Sequence, residues 1–112
     1  MAASGVAALI RVRRLVVEGD SMRPGFQPGD RLLVVGPWPL RPGQVVALAD
    51  PRTGRLLVKR VYQVSGDSVH VRGDNAPAST DSRHFGPVRR NDVVGRVVFR
   101  YAPAVRSGWW PG

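Results

Sequence analysis

Apolar residues along this chain come in short β-branched runs, cut at close intervals by glycine and proline. No stretch of about ten residues or more carries the 3.6-residue period of an amphipathic helix, whereas several alternate with a period of two. The pattern predicts strands over Val12–Val17, Arg31–Val35, Gln44–Ala49, Arg55–Val64, Ser68–Val71 and Val93–Tyr101. Between them stand turn signals: Pro28-Gly29, Pro37 with Pro39, Pro42-Gly43, Thr53-Gly54 and Gly66-Asp67. A short helical turn is expected after Ser21. The fold class is all-β.

Two segments break this economy of short turns, residues 18–30 and 73–92. Long loops without their own strand pattern are uncommon in a small domain and are usually functional or disordered. Both are rich in polar side chains that could furnish a site. With 112 residues the chain is read as a single domain with one modest core. Residues 1–11 are read as an N-terminal extension. Residues 103–112 are read as a loose C-terminal tail, whose Trp109-Trp110 pair either docks on the core or stays free.

Composition narrows the chemistry. The chain has no cysteine and two histidines, so thiolate nucleophiles, disulfides and the usual zinc sites are excluded and no metal or other cofactor is expected. The net charge of +9 favours acidic partners. The arginines are nevertheless scattered, with few aromatics interleaved, and nucleic acid is not expected as a partner. The early apolar stretch from Val6 to Ile10 is far short of the ~20 residues needed to cross a bilayer. Its positive charges follow the apolar part instead of preceding it, unlike a secretory signal. No stable membrane span is therefore expected, although a native N-terminus longer than this one would reopen the question.

One basic residue stands apart. Of the 17 basic residues only Lys59 is a lysine, and it lies inside the apolar run Leu56-Leu57-Val58-Lys59-Arg60-Val61. Arginine stays charged, whereas a lysine in apolar surroundings can lose its proton and act as a base. Strand alternation puts Lys59 on a face with Leu57 and Val61, and sends Arg60 outward with Val58 and Tyr62. A general base needs a nucleophile. Ser21 sits in a loop between Gly19 and Gly25, where glycine permits close backbone approach and leaves amide groups free to face a substrate oxygen. A serine activated by a lysine is a known alternative to the Ser-His-Asp arrangement.

Three blocks of sequence carry a resemblance. Gly19-Asp20-Ser21-Met22-Arg23-Pro24 with Gly29-Asp30, then Val58-Lys59-Arg60-Val61 with Gly66-Asp67, then Gly73-Asp74-Asn75 with Ser79, Asp81-Ser82-Arg83 and Phe85-Gly86-Pro87-Val88 follow one another in this order. The ordered set resembles the signal peptidase I family of Ser–Lys endopeptidases. That resemblance implies an all-β, LexA-like coiled sheet with a small barrel-like core and long active-site loops. It implies Ser21 as nucleophile, Lys59 as general base and the Ser21 backbone N–H as an oxyanion donor. Ser79 would orient the lysine amine, and Asp81 with Arg83 would form a structural ion pair beneath the site. Met22 would pack beside the site, and His84 would serve packing or the surface. Some relatives carry a hydroxyl donor two residues before the nucleophile, where this chain has Gly19, so the second oxyanion donor is left open.

In size and block spacing the chain is similar to the nickel-type superoxide dismutase maturation proteases, a branch of the same family. That branch implies cytoplasmic removal of a propeptide from a superoxide dismutase precursor. Two other readings stand beside it. One is a signal peptidase that cleaves secretory signal peptides and is membrane-associated through an anchor missing from this sequence. The other is a LexA-like β-domain that is non-catalytic or cleaves itself.

Overall fold

A computed structural model describes residues 10–37 and 39–110. The strands are β1 (Arg11–Val16), β2 (Arg31–Gly36), β3 (Val45–Ala49), β4 (Leu56–Ser65), β5 (Ser68–Arg72), β6 (Val88–Arg89), β7 (Val93–Ala102) and β8 (Gly108–Trp109). They form one eight-stranded sheet in the order β1-β2-β7-β3-β4-β5-β6, with β8 pairing β7 beside that path. Every pairing is antiparallel, and the sheet curls into a half-barrel, the all-β fold that the sequence pattern predicts. The six predicted strands are all present, each within a residue or so of its expected ends.

Alternation explains how one sheet carries two apolar layers. On β3 the side chains of Val45 and Ala47 join Met22, Phe26, Leu32, Val34, Val58 and Val97. Val46 and Leu48 turn to the other side and pack with Val61, Val69, Val71 and Val88. Because β3 is covered on both faces, it reads as an unbroken apolar run and not as an alternating one. Lys59 lies directly opposite Val46 in the β3–β4 ladder. Where β2 meets β7 the backbones approach so closely that a Cβ on Gly36 would lie 2.1 Å from the Val94 carbonyl oxygen, and one on Gly95 would lie 2.5 Å from that of Val35. Register shifts in the same ladder add to the curl.

Two expectations need correction. The segment read as an extension through residue 11 is already strand at Arg11; residues 1–9 lie outside those described. The tail is docked, not loose. Trp109 enters the sheet against Phe99, the Trp110 N–H donates to the Val98 carbonyl at 2.8 Å, and its ring lies 4.2 Å from that of Phe26. Asp30, 1% exposed, receives Arg100 at 3.3 Å and also pairs with Arg106, so a buried carboxylate fastens the tail to the loop after β1. The tail lacks a run of alternating residues, and its order comes from these distant partners. Residues 111–112 lie outside those described.

Candidate active site

The loop from Glu18 to Asp30 is shaped by local hydrogen bonds. Gly19 has φ of 74°, a left-handed conformation that disfavours any side chain. This gives a physical reason why no hydroxyl-bearing residue stands two positions before Ser21. The expected helical turn after Ser21 is a single turn, closed by the Phe26 N–H donating to the Met22 carbonyl at 3.0 Å. Met22 and Phe26 are fully buried in the core and anchor the turn from below. The loop is also held from the other long segment. The Asn75 N–H donates to the Ser21 carbonyl at 2.8 Å, and the Asn75 side-chain amide donates to the Asp20 carbonyl at 3.0 Å.

Lys59 is 3% exposed although it carries an amine. Its Nζ donates to Ser79 Oγ at 3.1 Å. The Ser79 hydroxyl donates in turn to Asp81 Oδ2 at 2.6 Å. Asp81 also accepts from the Gly73 N–H at 2.8 Å and from Arg83 Nε and Nη2 at 2.9 and 2.8 Å. Because Ser79 spends its only proton on Asp81, its oxygen faces Lys59 as an acceptor. One amine hydrogen is thereby fixed, and the rest of the amine is oriented with it.

Charge follows from these contacts. Burial lowers the Lys59 pKa from its ordinary 10.5; the Asp81 carboxylate pulls it back up, and Arg83 pushes it down again. Burial alone would raise Asp81, but donation from Arg83, from Ser79 and from the Gly73 N–H outweighs it and holds this carboxyl well below the usual carboxylate range. Asp81 therefore stays charged beneath the lysine without contacting it through a hydrogen bond.

Ser21 and Lys59 line one cleft, together with Met22, Leu57 and Val58. Among the described residues no hydrogen bond joins the Ser21 hydroxyl to the Lys59 amine, and the Ser21 N–H carries none either. Catalytic hydrogen bonds are often long in a substrate-free site and tighten on binding. An amine made easier to deprotonate, a serine lining the same cleft and an unengaged amide are groups that acyl transfer uses.

The structure thus brings Ser21, Lys59, Ser79, Asp81 and Arg83 to one place. Met22 packs under the site as expected. His84 lies at the surface, its Nδ1 accepting from the Asp81 N–H at 3.3 Å as part of a helix cap on the short α1 (Ser82–Phe85). Arg60 differs from expectation in degree. It points away from Lys59 but is held, donating to both carboxylate oxygens of Asp74 at 2.9 and 2.8 Å and to the Gly43 carbonyl at 2.7 Å. Gly73, Asp74 and Asn75 belong to the third sequence block, and their work shows only in the structure. Asp74 clamps β4 beside Lys59, Asn75 holds the Ser21 loop, and Gly73 lets the two come together: a Cβ there would lie 2.2 Å from Ser79 Oγ and 2.7 Å from the Ser21 carbonyl oxygen. Nothing but proximity in space reveals these roles.

Comparison with known proteins decides the family. The sequence pattern of the Peptidase S24-like family matches residues 11–98. The chain belongs to the Peptidase S24-like family. It is 42% identical to signal peptidase I of Bacillus caldolyticus over 57% of this chain and 37% of that protein. It is 33% identical to mitochondrial ATP-independent inner membrane protease subunit 1a of Arabidopsis thaliana, over 54% of this chain and 50% of the relative. It is 31% identical to mitochondrial inner membrane protease subunit 2 of Schizosaccharomyces pombe, over 82% and 66%. The chain therefore spans between about a third and two thirds of the length of these relatives. The family and these relatives support a serine-type peptidase. Among the described residues no helix is long and apolar enough to cross a membrane, and no group of three or more candidate ligands could hold a metal ion.

A buried lysine of this kind has a cost in stability. Below its lowered folded-state pKa both folded and unfolded chains hold the proton, and the full cost of burying the ammonium is present. Between that pKa and 10.5 the unfolded chain alone keeps it, so stability rises with pH across this window. Lys59→Met is therefore expected to be more stable than wild type by about 1 kcal/mol near neutral pH. That advantage should shrink as pH approaches the ordinary lysine value. Urea midpoints measured along a pH series check this, and an advantage that grows with pH contradicts it.

Proposed function

We propose that this protein is an endopeptidase with a Ser21–Lys59 dyad that removes an N-terminal propeptide from a nickel-type superoxide dismutase precursor in the cytoplasm. The observation that carries the dyad is the buried Lys59, fixed by Ser79 in the cleft that Ser21 lines. In this reading neutral Lys59 takes the Ser21 proton as the hydroxyl attacks the scissile carbonyl, then returns a proton to the leaving amine. The Ser21 N–H stabilises the oxyanion. Asp81 and Arg83 hold Ser79, and Ser79 holds the amine. The protease needs no metal or cofactor; its partner is the precursor. The dismutase substrate is supported by the compact block spacing of the sequence.

A second reading is favoured by the relatives themselves, one of which is named signal peptidase I. In it the substrate is a secretory precursor and the full protein is membrane-associated. Purified protein incubated in parallel with a dismutase precursor and with a secretory precursor separates the two. Mass spectrometry of the product N-termini is expected to show trimming of the dismutase precursor, at a rate that rises with pH as Lys59 deprotonates. Trimming of the secretory precursor alone favours the second reading. A rate flat with pH, with chemistry rate-limiting, contradicts the lysine base in both.

A further inference from the structure

The cleft that holds Ser21 and Lys59 is crossed by an ion pair that the mechanism does not use. Glu18 follows β1 on one wall and Arg55 precedes β4 on the other, 37 residues apart in sequence, and Arg55 Nη2 donates to Glu18 Oε1. Both side chains line the cleft. We propose that Glu18 occupies, on Arg55, the place of a substrate carboxylate, so that this pair at the cleft rim selects peptides bearing an acidic side chain near the scissile bond. The inference rests on the endopeptidase reading of the same site.

Both partners are open to solvent and the pair is weakly held. The Arg55 and Glu18 side chains are 66% and 72% exposed, whereas the carboxylates paired with Arg83 and Arg52 are almost wholly buried. Exposed pairs hold weakly and are screened by salt. In this reading an extended peptide that reaches Ser21 between the two segments displaces the pair. Glu18 is the one acidic side chain of the cleft lining and Arg55 its one permanently charged group, the rest being apolar apart from Ser21 and Lys59. Once the pair is parted, the solvated Arg55 is free to take a substrate carboxylate. The net charge of +9 draws in an acidic side chain and repels a basic one. Side chains of an extended peptide alternate, so the preference belongs to the register positions that face Arg55 and not to the peptide's overall charge.

The test uses fluorescein-labelled alanine-rich peptides in which Asp or Lys is scanned along the sequence. Cleavage is measured with wild-type protein, and binding with the Ser21→Ala protein by fluorescence anisotropy. Asp at the facing positions is expected to bind about two- to five-fold more tightly than Lys, with the difference falling on KM and fading at high salt. Glu18→Gln removes the internal competitor and should tighten binding of the Asp peptides by a similar factor. Arg55→Glu should invert the preference toward Lys. Cleavage with no charge preference, or a preference that survives Arg55→Glu unchanged, overturns the proposal and leaves the dyad standing. Charge-selective binding without any cleavage overturns the dyad and leaves this proposal standing. Peptides that neither bind nor are cleaved count against both.

Discussion

Lys59→Arg is expected to lose cleavage by a factor on the order of 10⁴ in kcat, about 5 kcal/mol of transition-state stabilisation. The substitution keeps a positive charge, and the reason for the loss is proton chemistry. Burial moves the lysine pKa downward from 10.5, toward values at which a useful fraction of the amine is neutral. A guanidinium retains its proton at any pH a protein survives and cannot act as a base. It is also planar and larger, so it cannot reproduce the single donation to Ser79 Oγ at 3.1 Å. Lys59→Met separates loss of chemistry from loss of fold: it should be inactive yet at least as stable as wild type. Under the proposed dyad, Ser21→Ala should lose as much as Lys59→Arg, and the double variant no more than either, because a nucleophile and its base act as one unit. Single losses that multiply in the double variant would show two independent contributions and remove the dyad. An arginine variant that cleaves at the normal rate would return Lys59 to a structural residue.

Much of this arrangement was legible in the chain because the relevant forces are local. Glycine and proline punctuate the β-branched runs, so each long strand could be bounded from its own residues. Alternation on β4 sets Lys59 apart from Arg60 and the structure keeps that separation, but Val58, expected to point outward with Arg60, is buried in the core because this face too is covered. What is not legible in the chain depends on partners far away in sequence. The strands Val88–Arg89 and Gly108–Trp109 are two residues each and exist only because β5 and β7 offer them edges. The four-residue helix Ser82–Phe85 is too short to show a period and is held by its Asp81 cap. The docked tail depends on Asp30, 76 residues away from Arg106. The same holds at the site. Ser79, Asp81 and Arg83 are legible through the resemblance of their block, whereas the work of Asn75 depends on a carbonyl 54 residues earlier in the chain, which no spacing rule reaches.

Gly73→Ala is the second large effect, and it distinguishes a site assembled by close packing from one that merely tolerates it. The residue lies where the loop before Ser79 passes the Ser21 loop. A methyl group there would fall 2.2 Å from Ser79 Oγ, 2.6 Å from Ser79 Cβ and 2.7 Å from the Ser21 carbonyl oxygen. Ordinary contact is farther than any of these, and one of the three atoms is backbone, so the neighbours must move. Relief at Ser79 lengthens its bonds to Lys59 and Asp81. Relief at Ser21 strains the bond from Asn75. Overpacking of this kind costs about 1–3 kcal/mol of stability, and a misplacement near 1 Å costs on the order of 10²-fold in rate. Gly95→Ala is the comparison, since its Cβ would meet the Val35 carbonyl at 2.5 Å in the β2–β7 crossing, away from the cleft. Both variants should unfold at lower urea than wild type. At a temperature where both remain folded, Gly95→Ala should keep most of its kcat while Gly73→Ala loses about a hundredfold. Equal losses of activity in the two, tracking only the folded fraction, would mean that the position of Ser79 does not set the reactivity of Lys59.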